Sequence, residues 1–276
     1  MGHPGARIGS LAHLCCVNVF SAAVVAVAMA LPAAADGMND LPLEPVIQQP
    51  TLDWSGPYVG LDLMAGRSEG RAERSVAEGA IVITDVANGL FPDSIAGAET
   101  STFGGLSLGY NLQRGAIVTG VELGFSSMSL VNDLGFSRVD PEILVGVDTI
   151  TGYRTEIDNF ATLSLRAGYA MNDLLVYGKA GVARADVGNQ FTLDLSGAGI
   201  PVFEFAEEDV RWGYTVGVGV ERMLTDRISI TGEISYFDLE DTEIVGRAPA
   251  IFPGNAIGYT FDNDGFIASI GLTYAF

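Results

Sequence analysis

Residues 265–276 read GFIASIGLTYAF. Phe266, Ala268, Ile270, Leu272, Tyr274 and Phe276 fall on one face of an extended strand, and Ile267, Ser269, Gly271, Thr273 and Ala275 fall on the other. An apolar strand that finishes on an aromatic invites pairing with other chains when it lies in water. The fold therefore turns on which solvent this stripe faces.

The same alternation recurs along the chain. YVGLDLMAG (58–66), GGLSLGYNL (104–112), GVELGFS (120–126), ATLSLRAGYA (161–170), LLVYGKAGVA (174–183), WGYTVGVGVER (212–222), ISITGEISYF (228–237) and FIASIGLTYAF (266–276) each set apolar against small or polar residues. Segments of about ten residues with this period match transmembrane β-strands, and no stretch after residue 53 carries a helical period. NLQRGA (111–116), MND (171–173) and LTDR (224–227) are short turn signals. Long polar segments, approximately 68–100, 130–157, 188–208 and 239–262, separate the other strands. Short and long connections that alternate predict an all-β fold: an eight-stranded antiparallel transmembrane β-barrel with short periplasmic turns and long extracellular loops.

The other end of the chain agrees with export. Arg7 is followed by an apolar stretch from Leu14 to Leu31 and by Ala33-Ala34-Ala35, the layout of a secretory signal peptide with a small-residue cleavage site. Residues 1–35 are expected to be that signal, 36–53 a Pro-rich periplasmic linker carrying Pro42, Pro45 and Pro50, and 54–276 the barrel. Both cysteines (Cys15, Cys16) and both histidines (His3, His13) lie in the signal. The exported chain then lacks the side chains for a thiolate nucleophile, a Cys or His zinc site, a Ser-His-acid triad or a disulfide. Without Arg7 it holds 13 basic residues against 34 acidic ones, a net charge of −21. So acidic a chain is no partner for nucleic acid.

Alternation alone does not say which face points outward, since a soluble lipocalin-like barrel inverts the pattern of a membrane barrel. Two features decide: the signal peptide together with the terminal Phe276, and the placement of the aromatics. Tyr110, Tyr169, Tyr274 and Phe276 come near one set of strand ends, and Phe125, Trp212, Tyr214, Tyr236 and Phe266 near the other. Two lipid interfaces call for two aromatic belts. Trp54 and Tyr58 are expected to join the periplasmic belt.

DWSGPYVGLDLMAG, GVELGF, LSLRAGYAMNDLLVYGKAGVA, YTVGVGVERMLTDRISITGEISYFDL and the closing IGLTYAF resemble the opacity-protein-like family of small outer-membrane β-barrel surface antigens of Gram-negative bacteria. The resemblance covers strands and short turns, not the long segments. It implies location in the cell outer membrane and insertion by the outer-membrane assembly machinery, with Phe276 as part of the assembly signal. It gives a fold more firmly than an activity.

The opposite face of the strands carries Asp62, Glu122, Arg166, Lys179, Glu221 and Glu233. Eight strands enclose a space that side chains can fill, where charges must pair. Glu122 with Arg166, and Lys179 with Glu221, fall at similar depth on adjacent strands, with Glu233 one strand further. An ion-paired plug is the first reading; a gated path for small solutes is the alternative.

Other signals are weak. GKAG at Gly178 and GVGVER at Gly217 lack phosphate-loop and dinucleotide spacing, and DNDG at Asp262 lacks the continuation of a calcium loop. Glu207-Glu208-Asp209 and Asp238, Glu240, Asp241 and Glu243 read as a solvated rim. Neither a cofactor nor a metal is expected, and no catalytic residue. Outer-membrane enzymes that rely on a site histidine, and histidine or cysteine haem ligation, are disfavoured. The expected partners are outer-membrane lipid and lipopolysaccharide, the assembly machinery, and a possible surface ligand held by the loops.

Overall fold

The computed structural model describes residues 52–139, 148–195, 201–247 and 253–276. The signal-peptide reading and most of the Pro-rich segment lie outside the described residues. Ten strands and one short helix follow in order: β1 (Gly56–Ser68), β2 (Arg71–Glu78), α1 (Ala80–Ala87), β3 (Ser94–Ala96), β4 (Glu99–Arg114), β5 (Ile117–Val139), β6 (Asp148–Met171), β7 (Leu174–Leu195), β8 (Pro201–Met223), β9 (Ile228–Arg247) and β10 (Ala256–Ala275). Eight of them, β1 and β4 through β10, form a closed antiparallel ring, because β10 pairs back onto β1 from Tyr58↔Ala275 to Ser68↔Gly265. Closure leaves no unpaired edge around this part of the barrel. The predicted short turns lie where expected, at Gly115 (φ 63°), Asn172 (φ 56°) and between Met223 and Ile228.

The segments expected to be long loops are largely strand. β5, β6, β7 and β8 run for 23, 24, 22 and 23 residues, about twice the 9–11 that cross a bilayer. Strand β7 shows how one sequence serves both environments. Its lower half turns Val176 and Val182 outward and Tyr177 and Lys179 inward; its upper half turns Asp186 and Gln190 outward and Val187, Phe191 and Leu193 inward. The alternation persists and its polarity inverts near Arg184. On β6 a bulge at Asn159–Phe160, with Asn159 at φ 49°, shifts which residues face inward, so that Arg166 below and Tyr153, Thr155 and Ile157 above all point inside.

Above the bilayer the ring divides. Pairing of β4 with β5 stops at Gly105↔Ser126, and pairing of β8 with β9 stops at Gly213↔Leu239, although all four strands continue. One sheet then consists of β5 to β8. The other consists of β9, β10, β2 and β3, with β2 joined to β10 from Ala256↔Glu78 to Asp262↔Arg71. Tyr153, Phe191 and Leu193 of the first pack against Ile244, Ile257, Tyr259 and Phe261 of the second. The result is a two-sheet sandwich standing on the barrel.

Helix α1 closes one side of this sandwich with Val82, helped by Leu90 and Phe91. Two turns are too short to show a helical period in the sequence, and the cap is remote: Asn255 Oδ1 accepts from the backbone N–H groups of Ile81 (3.1 Å) and Val82 (3.3 Å). Like charges favour the opening between β8 and β9, since carrying the register onward would set Asp209 opposite Glu243.

Candidate functional site

The inward face of the lower barrel holds the predicted charges in one network, with one of the two expected pairings and others that cross the barrel. Arg166 on β6 pairs with Glu221 on β8, two strands away, through Nη2 and Oε2. Lys179 on β7 donates to Glu122 Oε1 at 3.0 Å on β5 and to Glu233 Oε1 at 2.7 Å on β9. Arg166 Nη1 is 4.0 Å from Glu122 Oε2. The expected pairing of Glu122 with Arg166 on adjacent strands is therefore present, whereas Lys179 takes Glu122 and Glu233 in place of Glu221. In a barrel this narrow, side chains reach across the chord, and Arg166 and Lys179 are themselves directly opposed in register. The two cations share Glu122, and each takes one further acid, Glu221 for Arg166 and Glu233 for Lys179.

Two tyrosines complete the network. Tyr58 Oη donates to Glu122 Oε2 at 2.7 Å, and Tyr177 Oη donates to Glu233 Oε2 at 2.9 Å. The Arg166 guanidinium lies 3.8 Å from the centre of the Tyr177 ring and 5.7 Å from that of Tyr58. Tyr58 therefore does not join the periplasmic belt. It shares strand parity with Asp62, a signal the sequence offered. Trp54 also turns inward, onto Val118, Leu175 and Tyr177. Gly219 makes room for Tyr177: a Cβ there would sit 2.4 Å from the Tyr177 Cζ. Ser229 Oγ donates to Glu221, and Ser107 Oγ donates to Asp62 at 3.3 Å. Asp62 lies at the edge of the network.

Beside these groups is a cavity of about 60 Å³ lined by Tyr58, Asp62, Glu122, Lys179 and Glu233, room for a few water molecules. Higher in the lumen the lining becomes apolar. Phe103, Met128, Leu130, Ile157, Phe160, Phe237, Leu239 and Ile267 form one buried cluster across the barrel, and Phe160 and Phe237 meet at 5.1 Å.

Residues 20–276 match the family described as "Outer membrane protein beta-barrel domain". The chain belongs to this family. It is an outer-membrane β-barrel protein.

Similar curated proteins carry related names. A "22 kDa outer membrane protein" of Rhizobium leguminosarum bv. viciae is 35% identical over 146 residues, 52% of this chain and 56% of the relative, so the match spans little more than half of that protein. A "25 kDa outer-membrane immunogenic protein" of Brucella canis is 27% identical over 239 residues, 83% of this chain and 90% of the relative. Among solved structures, the outer membrane protein OprG of Pseudomonas aeruginosa aligns with 80% of this chain and 96% of its own, at 18% identity and a TM-score of 0.48.

On the outside of this outer-membrane barrel, Leu61, Leu63, Leu106, Leu165, Val218, Ile234 and Ile270 form an exposed apolar band. Tyr110, Tyr169, Tyr274 and Phe276 lie exposed toward the short turns, and Phe125, Trp212, Tyr214 and Phe266 lie exposed where the two sheets begin. Tyr214, Tyr236 and Phe266 touch in series on β8, β9 and β10, with ring centres 6.3 and 5.1 Å apart. Tyr214 Oη donates to Asp238 at 2.9 Å, and Tyr236 Oη to Asp264 at 3.1 Å.

Above this girdle Asp238, Asp241, Asp262 and Asp264 gather on β9 and β10. No cluster of three or more acids among the described residues converges as a metal site. Asp241 is exposed, yet partial desolvation, with Asp238 and Asp264 adding to it, holds its carboxyl above the usual range. Burial, then Asp241, does the same for Asp262, opposed by Arg71. A carboxyl raised in the folded state contributes stability that is full below its unfolded pKa of about 3.9 and is lost as pH rises through the folded value. The upper halves of β9 and β10 are therefore expected to exchange amide hydrogens more slowly at a pH just below the unfolded carboxyl value of about 3.9 than at neutral pH, after correction for intrinsic rates. Asp241→Asn should flatten that trend; an unchanged slope would mean that these acids are fully solvated.

Proposed function

We propose that the protein is a sealed barrel that anchors an acidic two-sheet head on the cell exterior and serves a structural or surface-interaction role. The observation that carries this reading is the apolar cluster of Phe103, Phe160, Phe237, Leu239 and their neighbours above the charge network. Ions meeting a dry segment of this kind would have to shed water without compensation. The ion-paired layer below acts as a second seal, and the sandwich core lies above both.

On this reading the six lumen charges hold the barrel rigid and no residue is catalytic. The lack of histidine and cysteine after residue 35 supports a non-enzymatic role. Lipid and lipopolysaccharide surround the aromatic girdles, the assembly machinery reads the stripe that includes Tyr274 and Phe276, and any surface ligand meets the acidic head. The competing reading is a small-solute channel.

Planar-bilayer recording separates the two. Purified protein is expected to give no stepwise conductance in molar potassium chloride. Regular unitary steps whose ion selectivity changes in Glu122→Gln would establish the channel.

A further inference from the structure

Between the apolar cluster of the barrel and the apolar core of the sandwich lies a belt of buried, uncharged polar side chains. Asn132 on β5 pairs in register with Thr155 on β6, which pairs with Asn189 on β7. On the facing side stand Thr242 on β9 and Asn263 on β10, and Ser68 closes the belt at the end of β1. Gly70 belongs to the same level. A Cβ on it would fall 2.9 Å from the Asn132 amide group, and the register of Ser68↔Gly265 and Arg71↔Asp262 places Gly70 beside Asn263. Each of the six polar residues is at most 5% exposed.

Their hydrogen bonds to one another are incomplete. Thr155 Oγ1 donates to Asn189 Oδ1 at 2.9 Å, and Asn263 Nδ2 donates to the Glu240 carbonyl at 2.9 Å and to Thr242 Oγ1 at 3.2 Å. Both amide atoms of Asn132, the Asn189 Nδ2, the Asn263 Oδ1 and the Ser68 Oγ have no protein partner. Five such atoms in one layer are far from the usual pattern, in which buried polar groups are bonded to protein or to ordered water.

We propose that this belt is a binding site for an enclosed cluster of water molecules. The free atoms include donors and acceptors and carry no formal charge, so neither a cation nor an anion is compensated there. A neutral ligand that donates and accepts at once is required. At Gly70 the fit against Asn132 leaves no room even for a methyl group. The pairing of β4 with β5 and of β8 with β9 ends below this level, so the belt lies where the backbone ladder no longer closes the ring. Water would satisfy the side-chain atoms left free, and a hydrated layer would separate the two apolar cores.

The test uses the unaltered protein in lipid nanodiscs, labelled with nitrogen-15 at asparagine. Magnetisation is expected to pass from water to the side-chain amide hydrogens of Asn132 and Asn189, with Asn132→Leu used to assign the first. A crystal structure at about 2 Å or better should show solvent peaks within hydrogen-bond distance of Asn132 and of Asn263 Oδ1, with at least one lost in Asn132→Leu. Absence of transfer to both amides, or a crystal structure in which the freed atoms bond to each other, would overturn the proposal.

Discussion

Replacing Arg166 with alanine is expected to lower the unfolding free energy of the barrel by about 3–5 kcal/mol, the usual loss when one partner of a buried ion pair is removed. The change leaves Glu221 buried with Ser229 as its remaining donor and strips a cation from between the Tyr58 and Tyr177 rings. Glu221→Gln in the same chain should recover part of the loss, because it removes the orphaned charge. Glu122→Gln should recover less, since Glu122 keeps Lys179 and Tyr58. Urea unfolding of the single and double variants in lipid vesicles measures all three. A lumen filled with water would screen these charges and make Arg166→Ala nearly neutral.

Phe191→Ala is expected to cost a similar amount, about 3–5 kcal/mol, but elsewhere in the molecule. Phe191 is the hub of the sandwich core, with its ring centre 5.2 Å from that of Tyr153, 5.3 Å from Tyr259 and 6.3 Å from both Phe91 and Phe205. The lower barrel does not touch this ring. The variant should still assemble as a heat-modifiable membrane barrel while its upper strands become open to added protease. Loss of both parts together would show that sandwich and barrel unfold as one unit.

The membrane half of the fold was legible because its pattern is local. The apolar stripe of Phe266, Ile270 and Tyr274, the turns at Gly115 and Asn172, and the inward charges all follow from a period of two. The upper half followed the same period with its polarity reversed. A rule that requires apolar residues outside ends each strand at the girdle and names the remainder loop, as it did for 130–157 and 188–208. The division into two sheets lies beyond any local pattern, because it depends on which strands fail to pair. Among the ion pairs, Glu122 with Arg166 was legible on adjacent strands and the others were not. Arg166 with Glu221, and Lys179 with Glu122 and Glu233, are two strands apart, and depth read along single strands does not reveal chords across a barrel. Tyr58 differs, since its parity with Asp62 is visible in the sequence and places it inside the barrel, away from the aromatic belt.

The inverted alternation of the upper strands also decides what an antibody can see. An exterior built from sheets presents every second residue, so a continuous stretch such as 150–158 shows Arg154, Glu156 and Asp158 to the outside while Tyr153, Thr155 and Ile157 are hidden. A synthetic peptide of that stretch shows both sets. Sera raised against it would be directed in part at side chains that the folded protein never displays, whereas sera raised against whole protein would read rows of alternate residues drawn from several strands. Recognition of this surface is therefore conformational in character, and heating the antigen until the sheets melt should abolish most of it.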